Sequence, residues 1–168
     1  MKRLYLLRHA KSSWKDSSLS DRDRPLAGRG RRAAKAMSEH LRERNIHPDL
    51  VICSPARRTR ETLERIETVL GRGAVRVEPR LYECGAEGLL AVLREIPDRE
   101  ESVLLIGHNP SLQELALVLA RRSPEVERVE AKLPTGALVT LAVPAAHWRE
   151  LKRGGAMLEA FVRPRDLS

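Results

Sequence analysis

The stretch Leu4-Tyr5-Leu6-Leu7-Arg8-His9-Ala10 near the start of the chain decides how the rest is interpreted. Its apolar residues have the length of a short buried strand and run directly into an arginine and a histidine. In α/β proteins, a buried strand delivers its last side chains to the edge of the sheet where ligands bind. Arginine forks onto phosphate oxygens, and a neutral imidazole nitrogen can attack phosphorus. Because Ala10 leaves room beside the ring, the stretch predicts a phosphate site at the end of the first strand.

Two later apolar runs also end in polar residues that can carry chemistry. Residues 49–53 and 102–106 read as short strands, and each is followed at once by reactive side chains. If these strands are parallel neighbours of the first, their carboxyl ends meet at one edge of the sheet. Two histidines and two or more arginines at that edge would form a pocket for a dianionic tetrahedral group. The residues that the two runs add to this edge are Ser54, Arg57, Arg58 and His108.

The order of apolar strands and amphipathic segments predicts the fold class. Strands are expected over 3–8, 49–53, 74–78, 102–106, 138–143 and 157–162, and helices over 29–44, 54–70, 86–95 and 111–121. Ser54 is expected to cap the second helix, with Pro55 as its first residue. Strands that alternate with helices and lack a polar face indicate a sheet covered on both sides. We therefore expect residues 1–168 to form a single-domain three-layer α/β/α sandwich with a mostly parallel central sheet.

Charge and composition limit the partners of the chain. The formal net charge is +8, and residues 1–72 carry 18 Lys+Arg against 9 Asp+Glu. Such asymmetry is typical of proteins that bind an anionic substrate, an acidic protein or a nucleic acid. An aromatic content of 3% argues against a stacking surface for single-stranded nucleic acid. The apolar runs are also far shorter than the roughly 18 residues of a membrane span, so we expect neither a nucleic acid nor a membrane partner.

The cysteines point to a reducing compartment. Cys53 and Cys84 offer no disulfide framework and no metal-ligand spacing, so a cytoplasmic protein is expected. Cys53 is interpreted as a small apolar residue at a strand end rather than a nucleophile.

Several ordered motifs make the chain resemble a known family. The set comprises Arg-His-Ala-Lys-Ser at 8–12 followed by Trp14, the segment 21–26, Ser-Pro-Ala-Arg-Arg-Thr-Arg-Glu-Thr at 54–62, Arg-Leu-Tyr-Glu at 80–83 and Gly-His-Asn-Pro at 107–110. In this set the chain is similar to the histidine phosphatase superfamily, and within it to the small SixA-like phosphohistidine phosphatase branch. The resemblance covers essentially the whole chain and implies a phosphoglycerate-mutase-like fold.

The resemblance implies a role for each matching residue. His9 would be the nucleophile that becomes phosphohistidine, while Arg8 and Arg58 would clamp the phosphoryl oxygens and His108 would donate to the same oxygens. Arg58 rather than Arg57 aligns with the pocket arginine of the family. Glu83 lies where much of the superfamily has its proton donor; the alternative is a loop carboxylate that pairs with Arg80.

The function expected from these residues is a metal-independent phosphatase that needs no cofactor. The substrate class implied by the resemblance is phosphohistidine on a protein, such as a histidine-containing phosphotransfer domain. The short chain leaves little room for an insertion over the pocket, and an open pocket fits a group presented on a protein surface. A broad small-molecule phosphomonoesterase with the same residues stays open as the alternative, as does a basic binding module without catalysis. A metal site is disfavoured because no third ligand stands at metal spacing beside His9 or His108.

Overall fold

A computed structural model describes residues 1–167, and its centre is one six-stranded sheet in the order β3-β2-β4-β1-β5-β6. The first four strands in this order run parallel to one another. Strand β5 pairs antiparallel with β1, and the edge strand β6 pairs antiparallel with β5. The strands are β1 (Lys2–Arg8), β2 (Leu50–Cys53), β3 (Ala74–Val77), β4 (Ser102–Gly107), β5 (Leu138–Val143) and β6 (Met157–Val162).

Helices cover both faces of the sheet, as the pattern of apolar strands predicted. They are α1 (Gly28–Glu43), α2 (Arg57–Ile66), α3 (Ala86–Arg94), α4 (Ser111–Leu119) and α5 (Pro124–Ala131). Successive residues of β1 enter opposite cores: Leu4 and Leu6 pack with α3, α4 and α5, whereas Tyr5 and Leu7 pack with α1 and α2. This alternation follows from the two-residue period of a strand, and it explains why residues 4–7 of β1 form an unbroken apolar run. The fold is therefore the expected three-layer sandwich.

Two details of the predicted helices are wrong. Helix α2 begins at Arg57 instead of at Ser54, with Ala56 as the residue before it. The Ser54 hydroxyl accepts the Ala56 N–H at 3.3 Å but is also bound to His108, so it serves the site rather than a helix end. Helix α5 was not predicted, although the Ser123 hydroxyl caps it by accepting the N–H of Val126 at 3.2 Å.

The strand ends that carry reactive residues do meet at one edge of the sheet. Arg8 at the end of β1 stands opposite Gly107 at the end of β4, and Cys53 of β2 stands opposite Ile106. One residue further on, the His9 N–H donates to the Gly107 carbonyl at 3.1 Å. The parallel pairing β2-β4-β1 therefore brings the three predicted polar segments together. In the described residues 1–167, no helix is long and apolar enough to cross a bilayer.

Candidate active site

A cavity of about 240 Å³ opens at this edge of the sheet. Four of the five residues predicted for the site line it, namely Arg8, His9, Arg58 and His108. The remaining lining residues come from the loop after β1, from the turn after β4 and from the loop before β5: they are Lys11, Ser12, Trp14, Arg24, Asn109 and Thr135. The wall is strongly basic and contains no carboxylate, so its chemistry suits an anion.

The ring of His9 is held in a single tautomer. Its Nδ1 lies 2.7 Å from the Ala10 carbonyl oxygen, and because a carbonyl can only accept, Nδ1 carries the proton. The other ring nitrogen, Nε2, therefore keeps a free lone pair. Burial lowers the pKa of His9 from its ordinary 6.5 to about 3. The Ala10 hydrogen bond raises this pKa, but nearby positive charges lower it further. At neutral pH, His9 is thus an uncharged ring with a nucleophilic nitrogen.

Two backbone contacts fix the loop that carries this ring. The Ala10 N–H donates to the Thr62 hydroxyl at 3.0 Å, and the Gly136 N–H donates to the His9 carbonyl at 2.9 Å. Thr62 is a buried residue of α2. His9 is therefore held between α2 and the loop before β5.

His108 makes the opposite use of its two nitrogens. Its Nε2 lies 2.7 Å from the Ser54 hydroxyl, while its buried Nδ1 has no partner among residues 1–167. Ser54 already accepts the Ala56 N–H, so donation of its own proton to Nε2 satisfies both groups and leaves the imidazole proton on Nδ1. Burial, followed by the charge of Arg58, lowers the pKa of His108 to about 4. The ring centroids of His9 and His108 are 5.3 Å apart.

The arginines of the cavity keep donors available for a ligand. Arg8 donates one Nη to the Leu133 carbonyl at 3.0 Å, but its buried Nε has no partner in the described part of the chain. Arg8 Nε and His108 Nδ1 are the two buried side-chain atoms of residues 1–167 that lack a hydrogen bond, and both residues line this cavity. Buried donors without partners are costly, and an oxyanion would satisfy them.

Arg58 is positioned by a carboxylate that the sequence analysis assigned no role. Its two Nη atoms donate to the Asp21 backbone oxygen at 2.7 Å and to Asp21 Oδ2 at 3.0 Å. Asp21 also accepts from Arg24 at 3.0 Å and from the Tyr82 hydroxyl at 2.8 Å. Burial alone would raise the pKa of Asp21, but the hydrogen bonds from Tyr82, Arg58 and Arg24 outweigh it and lower the pKa to about 2. Asp21 is therefore ionised and holds Arg58 at the cavity.

Arg24 is a further cavity residue that the sequence analysis missed. Its guanidinium donates to the Ser12 hydroxyl at 2.5 Å and lies 3.2 Å from the centroid of the Trp14 ring. The Trp14 side chain is 72% exposed at the rim of the cavity. The alternating charges of residues 21–24 were the available signal, but no local pattern shows that Arg24 packs against Ser12 and Trp14 in the same loop.

The fifth predicted site residue, Glu83, lies outside the cavity wall. Glu83 is exposed, with a left-handed φ of 57°, and it follows Tyr82, whose ring contacts His108 edge-on at 5.8 Å. Arg80 pairs with Glu78 and Glu95 instead of Glu83. The role of Glu83 as a proton donor stays a prediction.

Arg57, Arg60 and Cys53 do not line the cavity and have ordinary structural contacts. Arg57 is exposed and pairs with Glu61 at 2.7 Å, and Arg60 is exposed and donates to the Pro55 carbonyl. Cys53 is fully buried, and burial raises the pKa of its thiol to about 12, which fits a structural residue. No cluster of three His, Cys, Asp or Glu side chains within residues 1–167 could hold a metal ion.

Comparison with known proteins identifies the family. Residues 4–147 match the model of the histidine phosphatase superfamily (branch 1). The chain is 37% identical over 163 residues to the uncharacterized protein Rv1276c of Mycobacterium tuberculosis, covering 95% of this chain and 100% of that protein. It is 29% identical over 110 residues to phosphohistidine phosphatase SixA of Escherichia coli, covering 64% of this chain and 67% of the relative.

A solved structure agrees with this assignment. A Nakamurella multipartitia protein, provisionally named phosphohistidine phosphatase SixA, superposes with a TM-score of 0.86 at 29% identity, covering 97% of this chain and 96% of that chain. The chain belongs to the histidine phosphatase superfamily. It is a phosphatase with the SixA type of fold, in which the sheet edge described above is the candidate active site.

Proposed function

We propose that the enzyme removes phosphate from phosphohistidine on a protein, by way of a phosphoryl group carried on His9. The observation that carries the proposal is the hydrogen bond of His9 Nδ1 to the Ala10 carbonyl, which leaves Nε2 unprotonated in a buried, neutral ring. An imidazole nitrogen in this state needs no base to become a nucleophile.

In the first step, His9 Nε2 attacks the phosphorus atom of the substrate. A bond forms between Nε2 and phosphorus while the bond from phosphorus to the substrate imidazole breaks. The substrate ring, protonated on its other nitrogen, leaves as neutral imidazole. The negative charge on the phosphoryl oxygens is met by Arg8 Nε, His108 Nδ1 and the unused N–H groups of Arg58.

In the second step, water attacks the phosphoryl group on His9. The bond from phosphorus to Nε2 breaks, inorganic phosphate leaves with a proton released to solvent, and His9 returns to the Nδ1-protonated tautomer held by Ala10. The same donors serve both steps because the phosphoryl group stays in the same cavity.

The composition of the cavity wall favours a substrate with a good leaving group. No carboxylate of residues 1–167 lines the cavity, and Asp21 behind Arg58 is ionised and cannot act as an acid. Alkyl phosphates need a positioned proton donor because they leave as alkoxides, whereas a protonated phosphohistidine does not. This difference supports phosphohistidine over alkyl phosphate esters.

The setting of the cavity supports a protein-borne substrate. The exposed Trp14 ring at its rim, backed by Arg24, presents an open aromatic surface to whatever carries the phosphoryl group. The free thiols of Cys53 and Cys84 support the cytoplasm as its place of action.

Trapping of the covalent intermediate tests the proposal. The purified enzyme is mixed with a phosphohistidine peptide, quenched without acid and analysed by intact mass. We expect one phosphoryl adduct, located on His9 and absent from His9→Ala.

The matched variants Arg58→Ala and Arg57→Ala compare an arginine of the cavity wall with one on the exposed helix face. Loss of a charge-assisted donor costs roughly a hundredfold in rate at Arg58 and little at Arg57. Turnover that survives His9→Ala would overturn the mechanism.

A further inference from the structure

A second and larger cavity, of about 460 Å³, lies directly beside the active-site cavity. The two cavities share Lys11 and Thr135 as lining residues. Lys11 lies two positions after the proposed nucleophile, and Thr135 precedes Gly136, whose N–H holds the His9 carbonyl. A group bound in the second cavity would therefore sit next to a phosphoryl group on His9.

The wall of the second cavity carries six cationic side chains and no acidic one. Two of them are neutralised from outside the wall, since Arg128 pairs with Glu125 at 2.9 Å and Arg163 pairs with Asp166 at 2.8 Å. In contrast, Lys11, Arg29 and Lys132 are exposed and have no side-chain hydrogen bond or ion pair with any of residues 1–167. The six cationic residues are Lys11, Arg29, Arg128, Lys132, Arg163 and Arg165.

Part of the same wall is apolar. Phe161 is buried there, and the Arg128 guanidinium lies 5.3 Å from the centroid of its ring. Clustered like charges repel one another, and an anion between them would relieve that repulsion. The combination of free cations with an aromatic wall suits an acidic side chain that stands beside an apolar one.

We propose that this second cavity binds an acidic segment of the phosphoprotein, adjacent to the phosphohistidine that enters the active site. The inference rests on the proposed function and adds to it how the substrate is chosen. Charge complementarity carries the choice of an acidic occupant, because three unpaired cations face one concave surface next to the nucleophile. The segment contributes a second anionic anchor, so that phosphohistidines in acidic surroundings are hydrolysed in preference to others.

Two phosphohistidine peptides that differ only in charge test this inference. One carries a run of glutamates beside the phosphohistidine, and the other carries glutamines at the same positions. We expect kcat/KM to be about tenfold higher for the glutamate peptide, since several exposed charge pairs each add a small amount. The preference should shrink as NaCl is raised from about 0.05 M to about 0.5 M, because the charges are screened.

Charge reversal in the second cavity tests whether its cations cause the preference for the glutamate peptide. The double variant Arg29→Glu/Lys132→Glu should lose or invert it, while turnover of a small aryl phosphate changes less than about twofold, because neither residue lines the active-site cavity. Arg72→Glu is the matched control: Arg72 is exposed and lines a separate cavity at the opposite edge of the sheet, where β2 and β3 begin. This control should keep the preference of the parent enzyme.

The outcomes separate the two proposals. Equal turnover of both peptides, or a preference that survives the double reversal, overturns the acidic-segment site and leaves the phosphohistidine activity standing. Hydrolysis of the aryl phosphate with no turnover of either peptide overturns the proposed function, and the second site with it. Thermal unfolding of each variant confirms that the exposed substitutions leave the fold intact.

Discussion

His9 is buried and His108 is half-buried, and both rings are neutral near pH 7, yet their hydrogen bonds leave opposite nitrogens available. In His9 the Ala10 carbonyl holds Nδ1–H and frees Nε2 as a lone pair, whereas in His108 the Ser54 hydroxyl holds Nε2 and leaves Nδ1 unpaired. In the mechanism proposed above, the first ring attacks phosphorus and the second donates to the phosphoryl oxygens. The difference comes from single backbone and hydroxyl contacts, which no residue spacing in the sequence reveals.

The lowered pKa of His9 predicts a pH-dependent stability. Because the pKa in the folded protein is about 3 against an ordinary 6.5, the unfolded chain binds a proton that the folded chain does not. The stability that the neutral His9 ring contributes is fully present above about pH 6.5, and it is lost as the pH falls toward the pKa of His9 in the folded protein. Denaturant unfolding gives the free energies of unfolding of the parent and of His9→Asn at each pH. As the pH falls from about 6.5 toward about 3, the parent should lose up to about 1.4 kcal/mol per pH unit relative to the variant. Parallel curves would contradict the buried neutral ring.

Glu83 can be tested through the leaving group. Its exposed position outside the cavity wall predicts that Glu83→Gln leaves phosphohistidine turnover nearly unchanged. If Glu83 supplies a proton to ester substrates, the same variant should lower alkyl phosphate turnover much more. The measurements are kcat/KM for both substrates and the inhibition constant of phosphate, which reports on binding alone. Equal losses on both would assign Glu83 a structural role, and no loss on either would leave it a surface carboxylate.

At the scale of elements, sequence patterns predicted those strands and helices that are determined by the residues of the segment itself. All six strands were predicted because their residues have strand propensity and, in most of them, form apolar runs. Helix α5 was missed because it has only two buried residues, Val126 and Val129, too few for a clear helical period. The pairing of Asp21 with Arg58 was also beyond prediction, since it joins residues 37 positions apart through tertiary packing.

Helix α1 packs so closely on the loop after β1 that one glycine controls the contact. A Cβ atom on Gly30 would lie 2.0 Å from the Lys11 backbone oxygen, the same oxygen that accepts the Ala27 N–H. Gly30→Ala should therefore push the helix from the loop that carries His9 and lower the free energy of unfolding by about 2 kcal/mol. At Gly28 a Cβ would meet only the ends of arginine side chains at 3.4 and 3.5 Å. Gly28→Ala should be neutral or stabilising, and similar losses at both positions would refute the close contact.

At the scale of the whole molecule, the topology concentrates positive charge at one edge of the sheet. The parallel order β2-β4-β1 places three strand ends side by side, and helix α2 adds Arg58 from one face. Both basic cavities open there, so the excess of 18 Lys+Arg over 9 Asp+Glu in residues 1–72 is in part a property of the site. Such a field attracts anionic groups.

Unpaired buried donors at this edge predict that an oxyanion stabilises the entire fold. Tungstate at about a hundred times its Kd should add about 2.7 kcal/mol to the free energy of unfolding, because it binds the folded chain alone. For a chain of this length, this corresponds to a Tm rise of roughly 5 to 10 °C. The rise should be strongly reduced in Arg58→Ala and retained in Arg57→Ala, whose side chain pairs with Glu61 outside the cavity. Because arginine and histidine donors hold the anion directly, a chelator should leave the rise unchanged. An equal rise in Arg58→Ala, or its loss with chelator, would show that the anion is held elsewhere or through a metal.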